Sequence, residues 1–152
     1  MDQMSKSILL VEDNPDDVKL TLRAFKRSNM LHPVVVARDG VEALDIVFAR
    51  GAFAEHAGKP LPTLIILDLK LPKLDGLGVL RALRGDERTK HIPAVILTSS
   101  KEEQDLIQSY SLGANSYVRK PVDFAEFQEA VRLLGVYWLM TNLPPPERHP
   151  TT

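Results

Sequence analysis

Five acid, hydroxyl and amine side chains stand where the apolar runs of this chain end. Glu12 and Asp13 follow Ile8-Leu9-Leu10-Val11, Asp68 follows Leu64-Ile65-Ile66-Leu67, Thr98 follows Ala94-Val95-Ile96-Leu97, and Lys120 follows Ser116-Tyr117-Val118-Arg119. If Glu12, Asp13 and Asp68 converge, each carboxylate pair about 4 Å apart repels by about 4 kcal/mol at an effective dielectric near ~20. Either their pKa values rise or a cation neutralises the group. A divalent ion with oxygen ligands answers that need, and Mg²⁺ suits one or two carboxylates together with phosphate oxygens. The backbone carbonyl of Lys70 is a further oxygen donor in the turn after Asp68. The Thr98 hydroxyl and the Lys120 ammonium, with the metal, would stabilise the oxygens of a transferring phosphoryl group. Asp68 is then the nucleophile, and the product is an acyl phosphate.

The elements that must position these groups are legible in the apolar pattern. A run as fully apolar as residues 64–67 reads as a strand buried on both faces, and such strands present ligands at their carboxyl ends. Asn14-Pro15 caps and starts a first helix with Val18, Leu22 and Phe25 at helical spacing. Val34-Val35-Val36-Ala37 is a second strand, and Asp39-Gly40 leads into a helix with Leu44, Val47 and Phe48 inward. Residues 51–63, with Gly51, Gly58, Pro60 and Pro62, read as a long loop of breakers. A third helix follows Asp75-Gly76 and carries Leu77, Leu80 and Leu83. The fourth spans residues 101–112, and Gly113 stops it. Asp123 caps the last helix, whose apolar positions Phe124, Phe127, Val131, Leu134 and Trp138 step by three or four. If residues 124–140 are all helical, it is about 27 Å long. Leu143-Pro144-Pro145-Pro146 cannot continue it and should run extended. Strands alternating with helices predict an α/β fold with a parallel sheet covered on both faces.

At 152 residues the chain is the size of one domain, able to bury roughly 68–70% of its unfolded surface. Its 19 Lys and Arg nearly balance 20 Asp and Glu, so no basic field exists to hold nucleic acid. With no cysteine there is no disulfide framework, zinc-thiolate site or thiol nucleophile. No run approaches the roughly 20 apolar residues of a membrane span, and Met1 to Ser7 is too short and polar for a signal peptide. A soluble cytoplasmic protein with no nucleic-acid or membrane partner is the expectation.

Taken together, Val11-Glu12-Asp13-Asn14, Leu67-Asp68 with Leu71-Pro72 and Asp75-Gly76, Leu97-Thr98-Ser99, and Tyr117-Val118-Arg119-Lys120-Pro121 resemble the CheY-like receiver domain of two-component response regulators. The resemblance implies a flavodoxin-like, doubly wound sheet of five parallel strands in the order 2-1-3-4-5. It makes Asp68 the phosphoacceptor, and Glu12, Asp13, Asp68 and the Lys70 carbonyl the Mg²⁺ site. Thr98 and Lys120 contact the phosphoryl group, while Thr98 and Tyr117 form the switch. Glu12 stands where many receivers have aspartate. The 51–63 loop, the long last helix and Leu143-Pro144-Pro145 further resemble single-domain regulators paired with phytochrome kinases. The implied organisation is an N-terminal tail (1–7), a receiver domain (8–140) and a proline-rich arm (141–152). The implied partners are a phytochrome-type sensor histidine kinase and a second copy of the chain. The second copy would dock through helix 4, strand 5, helix 5 and the arm, with Tyr117, Tyr137, Trp138 and Leu143 at the interface.

Alone, Asp68 reads as a turn former and Lys120 as an exposed lysine before proline. A Mg²⁺-dependent aspartyl-phosphate phosphohydrolase wants a second acid two residues after its nucleophile, and Lys70 stands there. A flavodoxin-type cofactor carrier needs a first loop that welcomes phosphate, whereas Glu12-Asp13-Asn14-Pro15-Asp16-Asp17 repels anions. A pseudo-receiver that only binds partners is disfavoured because every reactive position is filled. Asp16 and Asp17 read as favouring the positive helix N-terminus rather than ligating metal. Asp75 reads as a turn and helix start, and His32, His56, His91 and His149 show no metal-ligand spacing.

Overall fold

Strand order follows from which runs are apolar on both faces. In the computed structural model, which describes residues 7–28, 30 and 32–143, the strands are β1 (Ile8–Val11), β2 (Val34–Ala37), β3 (Leu64–Leu67), β4 (Ala94–Thr98) and β5 (Ser116–Arg119). They form one parallel sheet ordered β2-β1-β3-β4-β5. The fully apolar runs β1, β3 and β4 take the interior and are buried along their whole length. The edge strands β2 and β5 are only partly covered, as sequences containing Val34–Ala37 and Ser116–Arg119 can tolerate. The helices are α1 (Pro15–Arg27), α2 (Gly40–Val47), α3 (Gly76–Arg84), α4 (Glu103–Ser111) and α5 (Phe124–Gly135).

Because side chains alternate across a strand, the sheet divides the core in two. Leu9, Val11, Ile65, Leu67 and Ile96 pack with Ala43 and Leu44 of α2 and Val79, Leu80 and Leu83 of α3. Ile8, Leu10, Leu64, Ile66 and Val95 pack on the other face with Val18 and Phe25 of α1 and Phe127, Val131 and Leu134 of α5. Each buried side chain of this kind contributes about 1.5–3 kcal/mol over an exposed one. Asn14 caps α1 with its side chain accepting from the Asp16 and Asp17 amides. Asp39, Asp75 and Asp123 cap α2, α3 and α5 in the same way, each cap worth about 1 kcal/mol. At the start of α4, Glu102 makes no such bond.

Two connections fix the ends of α3. Gly76 opens α3 so close to the turn after β3 that a Cβ there would lie 2.3 Å from the Asp68 carbonyl oxygen. Arg84, at the end of α3, donates to the carbonyls of Gly113 (2.9 Å) and Ile92 (2.8 Å) and to Asn115 Oδ1 (2.8 Å). Gly113 stops α4 as expected, with φ of +103°.

Several expectations need correction. Phe124, expected in the core, is 39% exposed. The last helix does not stay α-helical to Met140, because α5 ends at Gly135 and passes into a π-helical turn, Val136–Thr141. Residues 51–63 are not all loop, since Gly51–His56 forms a 3₁₀ turn. The proline run after Leu143, and His149, lie outside the described residues. No helix among the described residues is long and apolar enough to cross a membrane.

Candidate functional site

All five strands point the same way, so their carboxyl ends share one rim. The Asp68 amide donates to the Val11 carbonyl (3.1 Å) and the Lys120 amide to the Thr98 carbonyl (2.7 Å). These two bonds tie the end of β3 to β1 and the end of β5 to β4. Asp68 and Glu12 are buried there, and Asp13 beside them is exposed. The carboxylate oxygens of Glu12, Asp13 and Asp68 lie within 4.8 Å of one another. Asp68 Oδ1 accepts from the Leu69 amide at 2.7 Å, which leaves Oδ2 facing the cleft groups.

Lys120 enters this cluster from β5. Its Nζ donates to Glu12 Oε1 (2.6 Å), Asp17 Oδ2 (2.8 Å) and Asp68 Oδ2 (3.2 Å), and its side chain is 8% exposed. Burial works against the ammonium, but its bonds to Asp17 and Glu12 and the field of Asp68 outweigh that and hold its pKa above the usual lysine range. Burial pushes the Glu12 carboxyl up to about 7. The Lys120 bond opposes that rise, the Asp68 charge adds to it, and the Asn14 amide opposes it weakly. One ammonium among four carboxylates leaves the rim negative. Three converging carboxylates with a net negative field are a donor set that fits a hard divalent cation such as Mg²⁺.

Thr98, fully buried at the end of β4, accepts on Oγ1 from the Ser100 amide at 3.2 Å. Lys70 lies in the turn two residues after Asp68, and its ammonium is turned to Asp105 Oδ2 at 3.2 Å. Tyr117 is partly buried against the α2–α3 side of the core, and its hydroxyl is enclosed without a hydrogen bond. Trp138 packs against the α1–α5 side. Tyr117 and Trp138 thus sit on opposite faces of the sheet. A groove of about 340 Å³ runs along α5, lined by Val118, Leu133, Leu134, Tyr137 and Trp138 among others. Tyr137 and Trp138 meet there edge to face, with ring centroids 4.9 Å apart. Tyr137 is 49% and Leu143 92% exposed.

The structure gives Asp17 a second contact that the sequence reading did not assign. Asp17 does cap the charge of the α1 N-terminus, yet its carboxylate also holds Lys120. Helical side chains lean back toward the N-terminus, and that lean brings the third residue of α1 over the cleft. Asp105 was missed too. Before folding, nothing separates it from the other first-turn acid of α4, Glu103.

Comparison with known proteins places the chain. Residues 8–132 match the response regulator receiver domain family. A probable methanogenesis regulatory protein, FilR2 of Methanothrix harundinacea, is 41% identical over 91% of this chain and 86% of its own length. Response regulator Rcp1 of Synechocystis is 38% identical over 90% of each chain. The crystal structure of Mn²⁺-bound Rcp1 superposes with a TM-score of 0.85 at 37% identity, covering 93% of this chain and 99% of that one. A phosphorylated cyanobacterial phytochrome response regulator, RcpA, also gives 0.85 at 39% identity, with the same coverage. The bacteriophytochrome response regulator AtBRR is 50% identical with a TM-score of 0.70, covering 90% and 97%. With the five-stranded order 2-1-3-4-5 and the acid-lined rim already in view, these matches show that the chain belongs to the receiver-domain family of response regulators and is homologous to phytochrome response regulators.

Proposed function

We propose that this protein takes a phosphoryl group onto Asp68 from a sensor histidine kinase of the bacteriophytochrome type and signals through a changed binding surface. The observation that carries the reading is the buried Lys120 ammonium reaching both Asp68 and Glu12. A cation placed there neutralises charge at the nucleophile and can follow the phosphoryl oxygens once they arrive. In the transfer, Asp68 Oδ2 forms a bond to phosphorus as the bond from phosphorus to the kinase histidine nitrogen breaks. The electron pair stays on the imidazole, which takes its proton from solvent. Glu12, Asp13, Asp68 and the Lys70 carbonyl would hold Mg²⁺, which supplies charge neutralisation at the transferring oxygens when bound. Thr98 donates its hydroxyl to the phosphoryl group, and Tyr117 follows the space that Thr98 vacates.

The chain's own chemistry on this reading is limited to accepting the phosphoryl group and losing it again to water. A phosphohydrolase with broader substrates is disfavoured because Lys70 occupies the place of the second acid and turns to Asp105. The homology to phytochrome regulators supports a phytochrome-type kinase as donor. Exposed Leu133, Tyr137, Met140 and Leu143 support a homodimer built from α4, β5, α5 and the arm at 141–152, with residues 8–140 as the receiver. The cytoplasm, where such kinases present their histidines, is the proposed location.

Acetyl phosphate or beryllofluoride with Mg²⁺ should change Trp138 fluorescence in the native chain and leave Asp68→Asn unaltered. Transfer from a phosphorylated bacteriophytochrome kinase should outpace transfer from an unrelated histidine kinase. Equal rates would remove the phytochrome assignment, and a response that survives Asp68→Asn would remove the phosphoacceptor.

A further inference from the structure

We infer that Asp105 is a positioning residue for the phosphoryl site, and that its ion pair with Lys70 is a contact that phosphorylation of Asp68 breaks. The inference rests on the reading of Asp68 as phosphoacceptor. Asp105 is 8% exposed, and a single oxygen of it, Oδ2, receives both the Ser100 hydroxyl at 2.7 Å and the Lys70 ammonium at 3.2 Å. Ser100 Oγ in turn accepts from the Glu102 amide, and the Ser100 amide donates to Thr98 Oγ1, each at 3.2 Å. A continuous line therefore runs from Lys70, two residues after Asp68, through Asp105 and Ser100 to Thr98. The Thr98 carbonyl then accepts from the amide of Lys120, whose ammonium returns to Asp68. The chain of contacts thus closes on the reacting carboxylate.

The first turn of α4 is where this ring leaves the site. Asn14, Asp39, Asp75 and Asp123 cap the other four helices with their own side chains, whereas Glu102 makes no capping bond for α4. Asp105, with Ser100, holds that turn instead. The Ser100 bond, against some burial, and then the Lys70 pair keep the Asp105 carboxyl below the usual aspartate range, so it is an anion at neutral pH. A phosphoryl group on Asp68 adds about −1.5 to −2 charges two residues from Lys70. The Lys70 side chain is 60% exposed on a flexible stem, and its ammonium also lies 3.9 Å from Glu102 Oε1, so it can leave both acids at the α4 start for a third anion. When the phosphoryl group takes it, Asp105 keeps the Ser100 bond alone, and the α4 start loses its tie to the β3–α3 turn. Coupling is reciprocal: if phosphorylation weakens the pair, the pair weakens binding of a phosphoryl group.

That reciprocity sets the test. Beryllofluoride with Mg²⁺ is titrated into the full chain as native protein, Lys70→Gln, Asp105→Asn, the double variant and Asp68→Asn. Asn at 105 still accepts from Ser100. Asp105→Asn should bind beryllofluoride about two- to fivefold tighter, the range an exposed ion pair supplies. Lys70→Gln should bind it more weakly, and adding Asp105→Asn to Lys70→Gln should change nothing further. Amide exchange at residues 103–106 should speed up when beryllofluoride binds the native chain and should already be fast in unliganded Lys70→Gln, an exposed substitution that keeps the readout even if Asp105→Asn folds poorly. Slow exchange in Lys70→Gln, or an equal effect of Asp105→Asn in both backgrounds, overturns the latch while leaving a native response that Asp68→Asn lacks. A native chain that responds no differently from Asp68→Asn overturns the phosphoacceptor reading and the latch with it.

Discussion

Glu12 is the acid whose protonation the site controls most strongly, and the sign of its effect follows from its raised pKa. Held up to about 7 against an ordinary 4.5, it keeps its proton in the folded state at pH values where the unfolded chain has lost it. The stability this contributes is present below about pH 4.5 and is lost as pH rises through about 7. Metal-free protein should therefore become less stable to urea across that window, and Glu12→Gln should flatten the trend. A divalent ion must displace the same proton, so Mg²⁺ affinity should be about tenfold weaker near pH ~6 than near pH ~8, by calorimetric titration. Tyr117 carries a simpler prediction. Its enclosed hydroxyl lacks a partner, and such a group costs about 1–3 kcal/mol, so Tyr117→Phe should leave stability unchanged or raise it by about 1 kcal/mol in denaturant melts. Among single residues, the sequence shows Glu12, Asp13, Asp68, Thr98 and Lys120 because each ends a strand. It hides Asp17 and Asp105 because an acid in the first turn of a helix is favoured by the helix dipole alone, whatever else it touches.

Elements were legible where burial is complete and obscure where it is partial. Runs such as Leu64-Ile65-Ile66-Leu67 leave no alternative to a strand covered on both faces, and the capping acids at 39, 75 and 123 mark their helix starts directly. Apolar spacing shows which face of α5 turns inward, but not how far along the helix the covering layer extends, so Phe124 reads as core and lies exposed. The same spacing runs on unbroken to Trp138, and it cannot reveal the change to π-helical bonding after Gly135. Arg84 had no signal in the sequence, yet its guanidinium joins α3 to the loops before β4 and β5. Burial lowers its pKa. Arg84→Ala should cost on the order of 3 kcal/mol in urea unfolding, since several acceptors lose a charged donor at once. Arg84→Lys should recover little, because one ammonium cannot span the acceptors that a planar fork reaches.

For the whole molecule, the apolar end of α5 is the place to test association. Leu139 is 6% exposed and belongs to the core, so a truncation that removes it would confuse unfolding with dissociation. Charge placed on the exposed neighbours is cleaner. Leu133→Asp with Met140→Asp should convert a dimer to monomer by sedimentation without changing the unfolding free energy in urea by more than about 0.5 kcal/mol. Whether the chain dimerises is not written in its composition, because exposed apolar residues become informative only when folding shows them side by side. The parallel sheet then has a further consequence. All strands end at the acidic rim, whereas α5 starts beside Lys120 and runs back, carrying Tyr137, Met140 and Leu143 to the opposite pole. If a second copy docks there as proposed, each rim stays open, so both Asp68 side chains of the pair could receive a phosphoryl group without the pair coming apart.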